Sequence, residues 1–118
     1  MELLPEQGRW SEAQYLAFTD STMKLAELVK HALEFPPMPT DQHQAIAELI
    51  HALLKAYIKP KGGVVRIAPI RVRVAEGTYR EPDVVLLQDS ADKRRENRAW
   101  LGADLVVEVV SPDEPERD

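Results

Sequence analysis

The stretches Glu81-Pro82-Asp83-Val84-Val85-Leu86-Leu87 and Asp104-Leu105-Val106-Val107-Glu108-Val109-Val110 decide the fold. Each is a short run of β-branched residues and leucine bounded by polar ones, the pattern of strands largely buried in a sheet. A third extended stretch precedes them from Val64 to Val74, and its alternation slips. Val65 and Ile67 are apolar at odd positions, Ile70, Val72 and Val74 at even ones, and Pro69 stands at the slip. Proline donates nothing to a ladder, so a bulge or an edge strand is predicted there. Ala75-Glu76-Gly77-Thr78 reads as the turn of a hairpin, and Asp89 to Arg98 as a solvated loop or short helix.

Upstream, Ile46, Leu49, Ile50, Leu53, Leu54, Tyr57 and Ile58 recur at helical spacing, which predicts an amphipathic helix over 41–59 capped by Thr40 or Asp41. If that whole stripe packs on the sheet, Leu53→Ala should cost about 2–5 kcal/mol. Lys59-Pro60-Lys61-Gly62-Gly63 stops the helix. Ser11-Glu12-Ala13-Gln14 is a capping box that opens a short helix over 11–18, with Trp10 and Tyr15 at staple spacing. Between them, Leu25, Leu28, Val29, Ala32 and Leu33 also fall at helical spacing, until three prolines at 36, 37 and 39 force extended backbone.

The chain has 118 residues, 15 Lys and Arg against 20 Asp and Glu, a net charge of −5 and no cysteine. That length suits a single domain. Disulfides, thiolate catalysis and Cys-ligated zinc are excluded. No apolar run is long enough to span a bilayer and the N-terminus lacks a basic segment followed by an apolar one, so a cytoplasmic protein is expected. An acidic balance gives no global attraction to nucleic acid; binding would need a local basic surface. Residues 111–118, with Asp113, Glu114, Glu116 and Asp118 against Arg117, read as a flexible tail.

Glu108 is the polar exception inside an apolar strand, and Asp83 opens the strand before it. Singly, each has an ordinary reading: Glu108 as an outward-facing solvated residue, Asp83 as strand-entry chemistry. Together they supply converging carboxylates, hard ligands for Mg²⁺ or Mn²⁺, which can activate water and neutralise charge developing on a phosphodiester. His43 reads either as a capping or surface residue or as lining the site. Lys55, Lys59, Lys61, Arg66, Arg71 and Arg73 are either a solvated face or, for Arg71, Arg73, Lys59 and Lys61, contacts to phosphates.

Pro39-Thr40-Asp41-Gln42-His43-Gln44, Arg80-Glu81-Pro82-Asp83-Val84-Val85 and the strand 104–110 continuing into Ser111-Pro112, in that order and spacing, resemble the Uma-two family of endonuclease-like proteins. That family is a branch of the PD-(D/E)XK restriction-endonuclease-like superfamily. The resemblance implies an α+β (α/β) fold with a mixed central β-sheet flanked by helices, a DNA substrate and a Mg²⁺ or Mn²⁺ cofactor. It implies Asp83 and Glu108 as metal-binding acids, the Val109 carbonyl as a further ligand, Glu27 as a further acid, and His43 in the site. It also implies a β-hairpin over 23–35, against the helical spacing, although Lys30-His31 stands where an Asp-Gly turn would be easy.

The superfamily's lysine two residues after the Glu is Val110 here, and the chain resembles the first two-thirds of such a domain, lacking the C-terminal part. Three readings therefore stand: a metal-dependent endonuclease, a catalytically inactive remnant that binds nucleic acid or protein, and a structural domain without a site. Strand edges left open predict a homodimer or larger assembly.

Overall fold

The structure is a computed structural model that describes residues 3–22 and 25–110. The tail expected over 111–118 lies outside the described residues. Elements follow in the order α1 (Glu12–Thr22), β1 (Glu27–Val29), β2 (Ala32–Glu34), α2 (Asp41–Ile58), β3 (Val64–Ile67), β4 (Val72–Ala75), β5 (Thr78–Arg80), β6 (Val84–Leu87) and β7 (Leu105–Val107).

The capping box forms as expected. Gln14 N donates to Ser11 Oγ at 3.0 Å, and Ser11 N donates to Gln14 Oε1 at 2.9 Å. The helix runs past the predicted end at 18, because Tyr15 and Thr19 turn inward and continue its buried face. Trp10 meets Phe18 edge-on, 5.3 Å between ring centroids, and joins a core of Tyr15, Leu28, Tyr79 and Ala99.

Residues 27–34 form the hairpin that the resemblance implied, and the helical spacing there is misleading. Leu28 is fully buried because strands flank it on both sides, Leu33 of β2 and Tyr79 of β5 being its partners. The turn places Lys30 and His31 at φ of 50° and 65°, left-handed backbone that side chains resist. Distant residues hold it there. Lys30 N donates to Thr78 Oγ1 at 3.1 Å, His31 N to the Gly77 carbonyl at 3.0 Å, and Trp10 N to the His31 carbonyl at 3.0 Å. His31 Nδ1 lies 2.7 Å from the Trp10 carbonyl oxygen, so Nδ1 is the protonated nitrogen. Asn tolerates this backbone better than Lys. Lys30→Asn is expected to stabilise the fold by about 0.5–1 kcal/mol, read as a higher Tm.

Thr40 Oγ1 accepts from His43 N at 3.2 Å and opens α2. At its far end Gly62 takes φ 90°, and a Cβ on Gly63 would collide with Ile58 and the Leu87 carbonyl. The apolar stripe of α2 divides. Ile50, Leu54 and Ile58 pack with Val65, Val84, Leu86 and Val107, whereas Leu49, Leu53 and Tyr57 remain 60–63% exposed and Ile46 39%. The stripe is wider than the arc that one three-stranded sheet covers. The expected cost of Leu53→Ala is corrected accordingly: it falls to within about 0.5 kcal/mol in thermal denaturation.

The expected single mixed sheet is two antiparallel sheets among the described residues, in the orders β2-β1-β5-β4 and β3-β6-β7. The division occurs at the predicted slip. β3 ends before Ala68-Pro69, and the chain re-enters as β4 in the other sheet. Trp100 closes the seam: its N–H donates to the Arg71 carbonyl at 2.9 Å, its carbonyl accepts from Arg73 N at 2.8 Å, and its ring packs with Val64, Val72, Val85 and Leu87.

Candidate active site

All four residues of β6 are buried, and β6 lies between β3 and β7. β6 pairs with β7 as Val84↔Val107, Val85↔Val106 and Leu86↔Leu105. Continued by one residue, that register sets Asp83 opposite Glu108. On the other side Ala68 N donates to the Asp83 carbonyl at 3.0 Å, so the backbone of Asp83 is tied into the ladder even where its strand bends.

Asp83 and Glu108 line one cleft of about 340 Å³ at the mouth of the sheet, together with His43, Glu81, Val109, Val110 and the proline segment 36–39. Asp83 Oδ2 accepts from Val109 N at 2.6 Å and lies 3.1 Å from His43 Nε2. Both bonds fall on Oδ2; Oδ1 takes neither. The Thr40 cap fixes the first turn of α2 and with it the place of His43, so the site-lining alternative for this histidine is the one the geometry favours.

Glu81 also lines the cleft, and the sequence reading passed over it as a strand boundary. Burial, and next the charge of Glu27, push its carboxyl up to about 7, while Arg71 pulls the other way. Among the described residues, Glu81 Oε2 and His43 Nδ1 are buried without a hydrogen-bond partner. The available signal was its neighbourhood: a carboxylate one residue before a buried proline that leads into an apolar strand has little room to reach solvent. Glu27, by contrast, is only 1% exposed and does not line the cleft. Its Oε1 accepts from Arg80 at 3.2 Å and its Oε2 from the Glu81 amide at 2.8 Å, so it acts on the cleft by holding Glu81 in place.

This chain matches the Uma2 family, described as "Putative restriction endonuclease", over residues 10–118. The chain belongs to the Uma2 family. Among solved structures, the Uma2 chain is similar to one titled a "putative nuclease belonging to DUF820" from Anabaena variabilis, with a TM-score of 0.69, 21% identity and 92% of this chain covered. At that identity the likeness concerns the fold, and it bears out the restriction-endonuclease-like α+β class expected above. This Uma2 chain spans 60% of that neighbour's length. Curated proteins give no match.

In this Uma2 domain the basic residues lie apart from the acids. The Arg71 guanidinium donates to Thr19 Oγ1 at 2.7 Å and to the carbonyls of Leu16 and Arg98, and pairs with Asp20 at 2.8 Å. Arg73 grips Glu12 with two bonds of 2.8 and 3.0 Å. Both arginines therefore pin α1 to β4. Lys59 and Lys61 stand exposed past the end of α2, with the Lys61 ammonium 4.9 Å above the Tyr57 ring. Val110, which the resemblance sets where a lysine would be expected, lines the cleft, and no lysine or arginine does so among the described residues.

The donor set of the Uma2 cleft suits a hard divalent cation of the Mg²⁺ kind. Asp83 and Glu108 line the cleft at the ends of the paired strands β6 and β7, beside Glu81, whose carboxyl burial pushes up to about 7. Among the described residues no group of three or more His, Asp or Glu side chains is placed so that it could hold a metal ion. Mg²⁺ does not ask for one, because it is held by one or two carboxylates and keeps several waters.

Proposed function

We propose that this domain belongs to a Mg²⁺- or Mn²⁺-dependent endonuclease that hydrolyses DNA phosphodiester bonds, with Asp83 and Glu108 as the metal-holding acids and the Val109 carbonyl as a further ligand. The observation that carries it is that Asp83 and Glu108, at the ends of the paired strands β6 and β7, line one cleft where His43 also reaches Asp83. A bound divalent ion would supply a water of lowered pKa and neutralise charge on the phosphate. The chain's own residues do the rest. The Val109 amide and His43 fix the Asp83 carboxylate through Oδ2, leaving Oδ1 out of both bonds. His43 steadies the Asp83 carboxylate from Nε2, while its Nδ1 is buried without a hydrogen-bond partner among the described residues.

A second reading has its own observation: Val110 occupies the lysine position, so the cleft can hold metal and nucleic acid without cleaving. Mn²⁺ titration by calorimetry, followed by nicking of supercoiled plasmid with Mg²⁺ or Mn²⁺, separates the readings. We expect Mn²⁺ binding that Asp83→Asn removes, and no nicking by the 118-residue chain alone. Nicking that Asp83→Asn abolishes would make another residue the source of positive charge; absence of Mn²⁺ binding would remove the metal site. Self-association with a second copy belongs to the same proposal, because Leu49, Leu53, Tyr57, Leu105 and Val106 are all exposed. A monomer mass in light scattering would remove that part.

A further inference from the structure

A second cleft, of about 450 Å³, opens beside residues 66–70, lined by Arg66, Ile70, Ser90, Asp92, Arg95, Glu96 and Asn97 together with Trp100. We infer that this cleft is a phosphate subsite, in which Arg66 and Arg95 hold the backbone of a nucleic-acid strand whose neighbouring segment crosses the acidic cleft. The inference rests on the nuclease reading for the identity of the strand.

Three observations support it. Arg71, Arg73, Arg80, Arg94 and Arg98 each pair with a carboxylate, whereas Arg66 and Arg95 enter no ion pair among the described residues. Their guanidinium groups make one bond each to a backbone carbonyl, Arg66 to Val65 at 3.1 Å and Arg95 to Ser90 at 2.9 Å, which leaves most of their donors for a ligand. Secondly, one of the two acids in the lining is already occupied: Asp92 accepts from Arg94 Nε at 3.1 Å and from its terminal nitrogen at 2.8 Å. Ser90 and Asn97 add neutral polar groups.

Thirdly, the two clefts share a wall. Ala68 and Pro69 line the acidic cleft, while Arg66 and Ile70 line the second. Arg66 and Ala68 are two residues apart, about 6.6 Å along an extended chain. That is of the order of the spacing between successive phosphates of one strand. A strand laid across this wall therefore puts one phosphate at the arginines and another within reach of Asp83. The acidic cleft has no Lys or Arg of its own among the described residues, and the neighbouring arginines supply the charge that holds a polyanion beside it.

The test is fluorescence anisotropy of labelled duplex DNA in EDTA, where no metal-dependent cleavage intervenes, over a salt series. R66A/R95A is expected to weaken binding about tenfold and to lower the slope of log affinity against log salt by about two. Arg66→Glu, at an exposed strand position, gives the same direction should loss of the Arg95–Ser90 bond disturb the loop. Arg9→Ala removes one positive charge elsewhere on the surface and should change little, in affinity and in salt slope alike. The subsite is overturned if the variants bind like the wild type, if Arg9→Ala weakens binding as much, or if the wild type does not bind. Calorimetry keeps the two ideas apart: wild type and R66A/R95A should take up Mn²⁺ equally, and a wild type that takes up none overturns the nuclease reading while the salt slope still decides the subsite.

Discussion

Asp83→Asn is expected to weaken Mn²⁺ binding by about 100-fold or more, a loss of roughly 3 kcal/mol, while changing stability by less than about 1 kcal/mol. The asymmetry follows from the bonding of the side chain. Asn keeps an oxygen that can accept from the Val109 amide, so the contact tying residue 109 to the head of β6 survives. What disappears is the negative charge, and with it the attraction for a divalent cation. Glu108 lines the same cleft, so removing one like charge relieves repulsion and offsets part of any lost bonding. Asp83→Ala should behave differently, because it leaves the Val109 amide without its acceptor at a cost of about 1–3 kcal/mol. Calorimetric Mn²⁺ titration paired with thermal melts of both variants checks the argument. Mn²⁺ affinity unchanged in Asp83→Asn would take the metal away from β6.

Trp100→Ala should be the most destabilising single change at the seam, about 3–5 kcal/mol in chemical denaturation. The indole is 3% exposed and fills the space between Val64, Val85 and Leu87 of one sheet and Val72 of the other. Truncation leaves a cavity bounded by both sheets, and neither can close on it without breaking the bonds Trp100 makes to Arg71 and Arg73. Domains of this size hold only about 5–15 kcal/mol in total, so Trp100→Phe is the companion variant that should remain folded and lose less. A loss below about 1 kcal/mol for Trp100→Ala would mean that the sheets are held together elsewhere.

The local part of the fold was legible where one residue decides its own surroundings. Ser11 and Gln14 cap each other as their spacing predicts, and Thr40, Pro60 and Gly62 mark the ends of α2. Pro69 marked the place where β3 and β4 part, although not that they enter different sheets. The hairpin at 27–34 was illegible from period alone, since Leu25, Leu28, Val29, Ala32 and Leu33 satisfy a helix equally well; Thr78, Gly77 and Trp10 impose the turn from far along the chain. α2 misled in the opposite way: its apolar spacing was right for a helix, yet says nothing about how much of the stripe a small sheet can cover. In the site, Asp83 and Glu108 were visible because charge interrupts apolar strands. Arg71 and Arg73 looked available for phosphates because Asp20 and Glu12, their ion-pair partners, lie more than fifty residues away in sequence.

The two acids of the cleft are mounted on strands of unequal standing. Asp83 heads β6, which is paired on both sides and wholly buried, whereas Glu108 follows β7, whose Leu105 and Val106 are 43% and 45% exposed. Amide protons of Val84 to Leu87 should therefore exchange with solvent only through near-global opening, while those of Leu105 to Val109 exchange through local excursions of far lower free energy. Among the described residues, one acid stands at the head of a strand paired on both sides and the other just past a strand paired on one. Were a cation held between the two acids as proposed, its measured affinity would be the intrinsic one scaled by the fraction of time β7 is docked. Any contact that steadies β7 would then tighten cation binding without touching the cation.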